Sequence, residues 1–395
     1  MRNNLLIVHG GGPTAVINTT LYGVLEEAAK HPEIGEVLGA SGGTAGILEE
    51  NFLSLTRLPQ SQKELLLKTP GSAIGSSRFP VYDKDYQRMR EILVKHGVSY
   101  VLFNGGNGTM DTCGKLQKAC EGTGITVVGI PKTVDNDINA IDHAPGFGSA
   151  ARYIAEVTRE VGEDVKSLPI HVAVIEAMGR NAGWVTAASL AARKNPGDAP
   201  HIILLPEIPF DEESFLKKVE EIQKEKGGVV VVASEGLKDS SGKPVVPPIF
   251  KTERATYYGD VGTYLAELVI RKLGVKARSE KPGLLGRSSM ALSSIVDREE
   301  ALLVGREAVL AAVRGNGGVM VGIIRQKETT YSIETPLIPI EEVMLKERMF
   351  PMEYITEDGM DVKQEYLTWL KPLLGEELPE YANLQGFRKE NENHG

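Results

Sequence analysis

The chain has 395 residues, 42% of them apolar and 25% charged, and a formal net charge of −9. This balance fits a folded chain of one large or two smaller domains and excludes a disordered or fibrous one. The acidic excess disfavours nucleic acid as the main partner, and no apolar run is long enough to span a bilayer. Small anionic ligands stay open, because a few local arginines outweigh a distant net charge. Met1–Val8 holds too short an apolar stretch for a secretory signal and reads as a buried first strand. Cys113 and Cys120 lie about two helical turns apart, too far for a disulfide, which suits a reducing cytoplasm.

From the amino end, β-branched apolar runs predict strands at Leu5–His9, Val37–Ala40, Tyr100–Asn104 and Thr126–Ile130. Helical patterns over Ala15–Lys30 and Thr109–Cys120 separate them. The alternation continues with strands at Ile170–Ile175, Ile202–Leu205, Gly228–Ala233 and Gly318–Ile324. Helices are predicted at Gly148–Gly162, Ala182–Arg193, Phe210–Glu225 and Gly259–Leu273. Such alternation predicts an α/β fold of doubly wound, mostly parallel sheets with helices on both faces. Asp239–Pro248 reads as an exposed loop or a crossover. Leu345–Leu384, more charged and helical in pattern, reads as an appendage packed on the core or as an oligomer contact.

Ligands of doubly wound sheets bind beyond the carboxyl ends of the strands, so the loops there carry the question of function. His9-Gly10-Gly11-Gly12-Pro13-Thr14 opens a helix, where backbone N–H groups hold phosphate or the chain simply turns. Asn104-Gly105-Gly106-Asn107-Gly108-Thr109 repeats the arrangement, and two such loops on one edge can grip a polyphosphate together. Thr109 alternatively caps its helix. Gly129-Ile130-Pro131-Lys132-Thr133-Val134-Asp135-Asn136-Asp137 is the most specific loop. Phosphoryl transfer needs a carboxylate for the attacking hydroxyl's proton, positive charge on the moving phosphate and a carboxylate-held Mg²⁺, and this loop holds all three kinds of group. A polar surface turn is the bland alternative.

Glu176–Gly183 sets Arg180 at a strand end, where it suits an anionic substrate, beside Met178, which serves equally as core filler. Gly75-Ser76-Ser77-Arg78 adds an arginine. Ser234-Glu235-Gly236 adds a carboxylate that holds a sugar hydroxyl or caps the next element. His143, His171 and His201 read as structural histidines, with phosphate contact as the alternative.

Taken in this order, over roughly residues 4–325, these segments resemble the phosphofructokinase family. The family's hallmark loops, Gly-Gly-Asp-Gly-Ser/Thr and Pro-Lys/Gly-Thr-Ile-Asp-Asn-Asp, stand here as residues 105–109 and 131–137. The resemblance implies two similar α/β domains with the active site in their cleft. Residues 1–138, completed by about 255–325, take the phosphoryl donor; 139–254 take the sugar phosphate; 326–395 form a helical appendage. Asp135 is implied as the base for the 1-hydroxyl of fructose 6-phosphate, with Lys132 and Thr133 beside it and Asp137 assisting with Mg²⁺ or orientation. Met178, Gly179, Arg180 and Glu235 are implied on the sugar phosphate. Arg78 falls on the transferred phosphate, and Gly11, Gly12, Gly106, Asn107, Gly108 and Thr109 fall around the donor, with Asn107 also toward the metal. A cytoplasmic glycolytic enzyme, dimeric or tetrameric, is the expectation.

Two departures stand out. Asn107 occupies the place of a magnesium-ligating Asp, and a neutral amide is a weaker ligand. Met290 occupies an expected arginine position, leaving Arg287, Lys281 or Arg278 to meet the sugar phosphate. The donor is argued from Gly108. Pyrophosphate users carry an Asp there that repels the α-phosphate of ATP, so its absence favours ATP. Pyrophosphate is the alternative, because Gly11–Asn18 and Met178–Trp184 look like those of pyrophosphate users and Ser41–Gly46 lacks an adenine-stacking tyrosine. A non-catalytic sugar-phosphate sensor, suggested by Asn107 and Met290, is opposed by the intact Asp135 and Asp137. NAD and lipid kinases share only the Gly-Gly-Asp-Gly-Thr-like loop, and a nicotinamide dehydrogenase needs a dinucleotide fingerprint that is missing.

Overall fold

The computed structural model describes residues 3–251, 256–326, 330–382 and 384. Among these, two main sheets carry the fold. In spatial order the first runs Leu337–Pro339, Val319–Val321, Thr126–Pro131, Val98–Gly105, Asn3–His9, Ile34–Ala40, Phe52–Ser54, parallel except at its two edges. Its central strands are apolar because they are covered on both faces. Ile17–Ala28 and Ile295–Val313 pack on one face, Asp83–Lys95 and Asn107–Ala119 on the other.

The second sheet runs Lys276–Glu280, His171–Ala177, Val229–Ser234, Ile202–Leu204, all parallel. Phe147–Ser167 covers one face, Glu212–Lys226 and Val261–Leu273 the other. The chain is therefore the doubly wound α/β protein that its alternation predicts. No helix among the described residues is long and apolar enough to cross a membrane.

Three expectations differ from the structure. The predicted helix Ala182–Arg193 is one α turn, Trp184–Ala188, continued as 3₁₀ over Ser189–Ala192. The return to the first sheet comes later than residue 255, because Val261–Leu273 and Lys276–Glu280 still belong to the second. Lys-Ala-Arg-Ser-Glu escapes apolar patterning since an edge strand tolerates charge. Residues 326–395 are also no helical appendage where described. Leu337–Pro339 is a strand of the first sheet, and beyond it Tyr366–Leu370 is a single short α-helix among irregular and 3₁₀ segments. Aromatic packing holds this stretch, with Phe350, Tyr366 and Trp369 around Trp184 at ring-centroid distances of 5.0–6.4 Å.

The passages between the two halves are tied by buried polar groups. Asp297 accepts hydrogen bonds from the Gly146 and Ser149 N–H groups at 2.7 and 2.9 Å, satisfying donors at the start of Phe147–Ser167. His143 bridges Asp142 (2.7 Å) and Glu300 (2.6 Å). Burial pulls its pKa down, but Glu300 and Asp142 lift it to about 9. Val230 N–H donates to His201 Nδ1 at 2.9 Å, and His171 is buried in the second sheet. Cys113 and Cys120 are buried free thiols.

Candidate active site

In the first sheet, Asn3–His9 pairs with Ile34–Ala40 on one side and Val98–Gly105 on the other, so the strand order reverses there. A crevice forms at such a reversal. The loops beyond these strands frame a cleft of about 460 Å³. Thr109 accounts for two of its glycines. A Cβ on Gly10 or on Gly105 would overlap the Thr109 side chain, which fills the gap between the loops. Thr109 is not the N-cap, which is Gly106; the Thr109 N–H donates to Gly106 O at 2.8 Å.

Three cations converge on the first loop. Lys132 Nζ donates to Gly12 O at 2.6 Å, and a Cβ on Gly12 would collide with the Arg287 guanidinium and lie 3.7 Å from Arg78. Burial, with Arg287 and Arg78 adding to it, draws the Lys132 pKa to about 8 against the pull of Asp135. Asp135 is pushed up to about 7 by burial, then by Asp137 and Glu235, with Lys132 and Arg180 opposing. The result is a carboxylate whose proton affinity sits near neutrality beside fixed positive charge, as a general base needs.

The turn that holds Asp135 is tightly specified. Thr133 Oγ1 accepts from the Asp135 N–H at 3.1 Å, and Asn136 adopts φ +53° with its Oδ1 accepting from Ala144 N–H at 3.0 Å. Asn107 Nδ2 donates to Asp137 Oδ2 at 3.0 Å, and Asn107 Oδ1 is buried with no partner. The second sheet supplies the facing wall. Its paired strands end at Ala177 and Ser234, which brings Met178 and Glu235 side by side, with Glu235 N–H donating to Ala177 O at 3.0 Å. Burial raises the Glu235 pKa while Arg180 lowers it.

The structure gathers Gly11, Gly12, Arg78, Gly106, Asn107, Gly108, Thr109, Lys132, Thr133, Asp135, Asp137, Met178, Glu235 and Arg287 around this one cleft. Gly179 and Arg180 stand outside its lining. Gly179 forms the turn at φ +113°, its carbonyl accepting from Ser234 Oγ, and Arg180 is an exposed rim residue whose charge reaches Asp135 and Glu235. Of the substitutes for Met290, Arg287 reaches the cleft. Lys281 is bound to Glu176 and Asp260, and Arg278 lies on the edge strand. Sequence reasoning missed Glu347, which lines the cleft from the far end of the chain and accepts from Asn181 Nδ2 at 3.1 Å. Lys346-Glu347-Arg348 reads as a solvated charge run, and no local signal marks it.

Residues 4–312 match the family model described as Phosphofructokinase. The chain is 36% identical to the pyrophosphate–fructose 6-phosphate 1-phosphotransferase of Rhodospirillum rubrum, covering 98% of each chain. It is 37% identical to the protein of that name from Xanthomonas campestris, covering 98% of this chain and 95% of the other. Among solved structures, the pyrophosphate-dependent phosphofructokinase of Nitrosospira multiformis superposes with a TM-score of 0.88 at 35% identity, covering 97% of this chain and 95% of that one.

Proposed function

The chain belongs to the phosphofructokinase family, and from that premise we propose that it transfers a phosphoryl group from pyrophosphate to the 1-hydroxyl of fructose 6-phosphate. The observation that carries the chemistry is the gathering of Asp135 with Lys132, Arg78 and Arg287 in one cleft, where burial and neighbouring carboxylates raise the Asp135 pKa to about 7. Asp135 takes the proton of the sugar 1-hydroxyl as its oxygen bonds to the phosphorus. The bond from phosphorus to the bridging oxygen breaks, and orthophosphate leaves with fructose 1,6-bisphosphate as the other product. Lys132, Arg78 and Arg287 offset the charge on the phosphates, while Met178, Glu235 and Arg287 orient the sugar phosphate and Arg180 attracts it at the rim.

The unpartnered Asn107 Oδ1 beside the Asp137 carboxylate offers hard oxygen atoms of the kind Mg²⁺ prefers, so Asn107 and Asp137 would hold the ion. No group of three His, Cys, Asp or Glu among the described residues is placed to hold a metal ion, so the phosphates would supply the remaining ligands. Bound there, Mg²⁺ neutralises phosphate charge.

ATP, favoured above on Gly108, becomes the second reading, since the three relatives described above carry the other donor in their names. It keeps one observation in its favour: a Cβ at Gly108 meets nothing within 4 Å, so the donor loop leaves open room. Initial rates with fructose 6-phosphate, Mg²⁺ and each donor in turn test both readings. Turnover with pyrophosphate well above that with ATP supports the proposal, the reverse replaces it with the second reading, and silence with both defeats phosphofructokinase activity.

A further inference from the structure

The cleft is completed by residues that lie beyond the stretch matched by the family model. Arg348 stands behind the Asp135–Asp137 turn and touches it twice, with a third contact to Ile141 just beyond it. Its backbone N–H donates to Asp137 O at 2.8 Å, its Nη1 to Ile141 O at 2.6 Å and its Nε to Asn136 O at 3.4 Å. The guanidinium lies over the Trp184 ring, 4.3 Å from its centroid, and Trp184 Nε1 donates back to Arg348 O at 3.3 Å. Trp184 opens the short helix that follows Met178–Gly183, on the sugar side of the cleft.

The neighbouring residues join the same two loops. Glu347 bridges to Ile138 through backbone pairing and to Asn181 through its carboxylate. Glu207 Oε1 accepts from both Phe350 N–H (2.9 Å) and Gly183 N–H (2.8 Å).

The requirement for such a brace is local. Asn136 separates the two aspartates and sits at φ +53°, a left-handed conformation that Asn tolerates better than most residues but that still needs its surroundings to hold it. Its own side chain secures one end, on Ala144 N–H. The Arg348 side chain secures the Asn136 carbonyl and that of Ile141, and the Arg348 backbone N–H secures that of Asp137, so the turn between the two carboxylates is held from more than 200 positions away. A planar, always-charged fork meets carbonyls in different directions at once, which a lysine ammonium on a flexible stem does poorly.

We propose that Arg348 is a positioning residue for phosphoryl transfer: it fixes the Asp135–Asp137 turn and, with Glu347 and Phe350, locks that turn to the Met178–Gly183 loop of the sugar wall. The proposal rests on the phosphotransferase reading for its kinetic arm only. Wild type, Arg348→Ala and Arg348→Lys are compared by kcat, by KM for fructose 6-phosphate, by melting temperature and by amide hydrogen exchange over residues 135–146. Arg348→Ala should lower kcat by about 10–100-fold, the scale of a misplaced reacting group, with KM within about threefold and faster exchange confined to that segment. Arg348→Lys should fall between, by about 3–10-fold, because one carbonyl contact is recoverable. A kcat for Arg348→Ala within about threefold of wild type overturns the proposal, as does unchanged exchange at 135–146 or opening spread over the whole chain. If Arg348→Ala does not fold, Arg348→Lys decides, and wild-type kcat and exchange in that variant overturn it. If wild type transfers from neither donor, the phosphotransferase reading fails, and the exchange comparison alone still upholds or overturns the brace.

Discussion

The loops at the carboxyl edge of the first sheet and the Glu347–Phe350 segment meet at one cleft, yet they contribute in opposite ways. The loops present ionisable side chains to a ligand from a backbone shaped by glycine, with Thr109 wedged between Gly10 and Gly105 and Lys132 on the Gly12 carbonyl. The segment presents one carboxylate to the cleft and spends most of its contacts on backbone carbonyls behind it. The base and its nearest lysine lie within one short loop, whereas the contacts that brace that loop are long-range.

The largest effect should fall on the loops. Asp135→Asn removes the base without changing the shape of the turn and should cut kcat by about 10²–10⁴-fold, with a modest change in KM for the sugar phosphate. Steady-state kinetics check this, and an unchanged kcat removes Asp135 from the chemistry. The next effect falls on the segment: the loss of about 10–100-fold in kcat for Arg348→Ala shows how much of the loops' power depends on support from behind.

Gly108→Asp sharpens the comparison from inside the loops. The new side chain has open space, so the melting temperature should hold. Its charge should depress any use of ATP by about tenfold or more while sparing pyrophosphate, since like charges placed together cost several kcal/mol. Rates with the two donors read this out, and equal losses reject the steric and electrostatic role of position 108.

The smallest effect concerns the passage between the halves. His143 has a folded pKa of about 9, above its usual 6.5. Its ionic contribution to stability is therefore complete below about pH 6.5 and is lost as pH rises through 9. Melting temperature should decline across that window, at about 2–4 °C per kcal/mol lost, and His143→Gln should flatten the decline. An equally steep decline in the variant places its cause elsewhere.

The sequence shows the chemistry far better than its support. Strand–helix alternation reveals the doubly wound fold, and Gly-rich turns with Pro131–Asp137 mark the cleft, because backbone-permissive and ionisable residues must sit close together to act on one phosphate. Periodicity fails where packing rather than pattern decides. Lys276–Glu280 is a strand because its neighbour offers an edge. Trp184–Ala192 breaks into two short helical pieces, and the stretch after residue 340 is held by aromatic contacts around only short helical turns. Thr109 reads locally as a cap and acts as a wedge between two loops. Arg348 reads as one charge among several, since nothing within ten residues of it shows what it touches.

The most direct measurement is phosphorus NMR of the protein with fructose 6-phosphate, pyrophosphate and Mg²⁺, run beside Asp135→Asn. The expected result is that pyrophosphate gives way to orthophosphate and the 1-phosphate of fructose 1,6-bisphosphate in equal amounts in the wild type, and that the spectrum of the variant stays nearly unchanged. Pyrophosphate that persists in the wild type, that is hydrolysed without a sugar 1-phosphate, or that is consumed as fast by Asp135→Asn contradicts the assignment of donor and base.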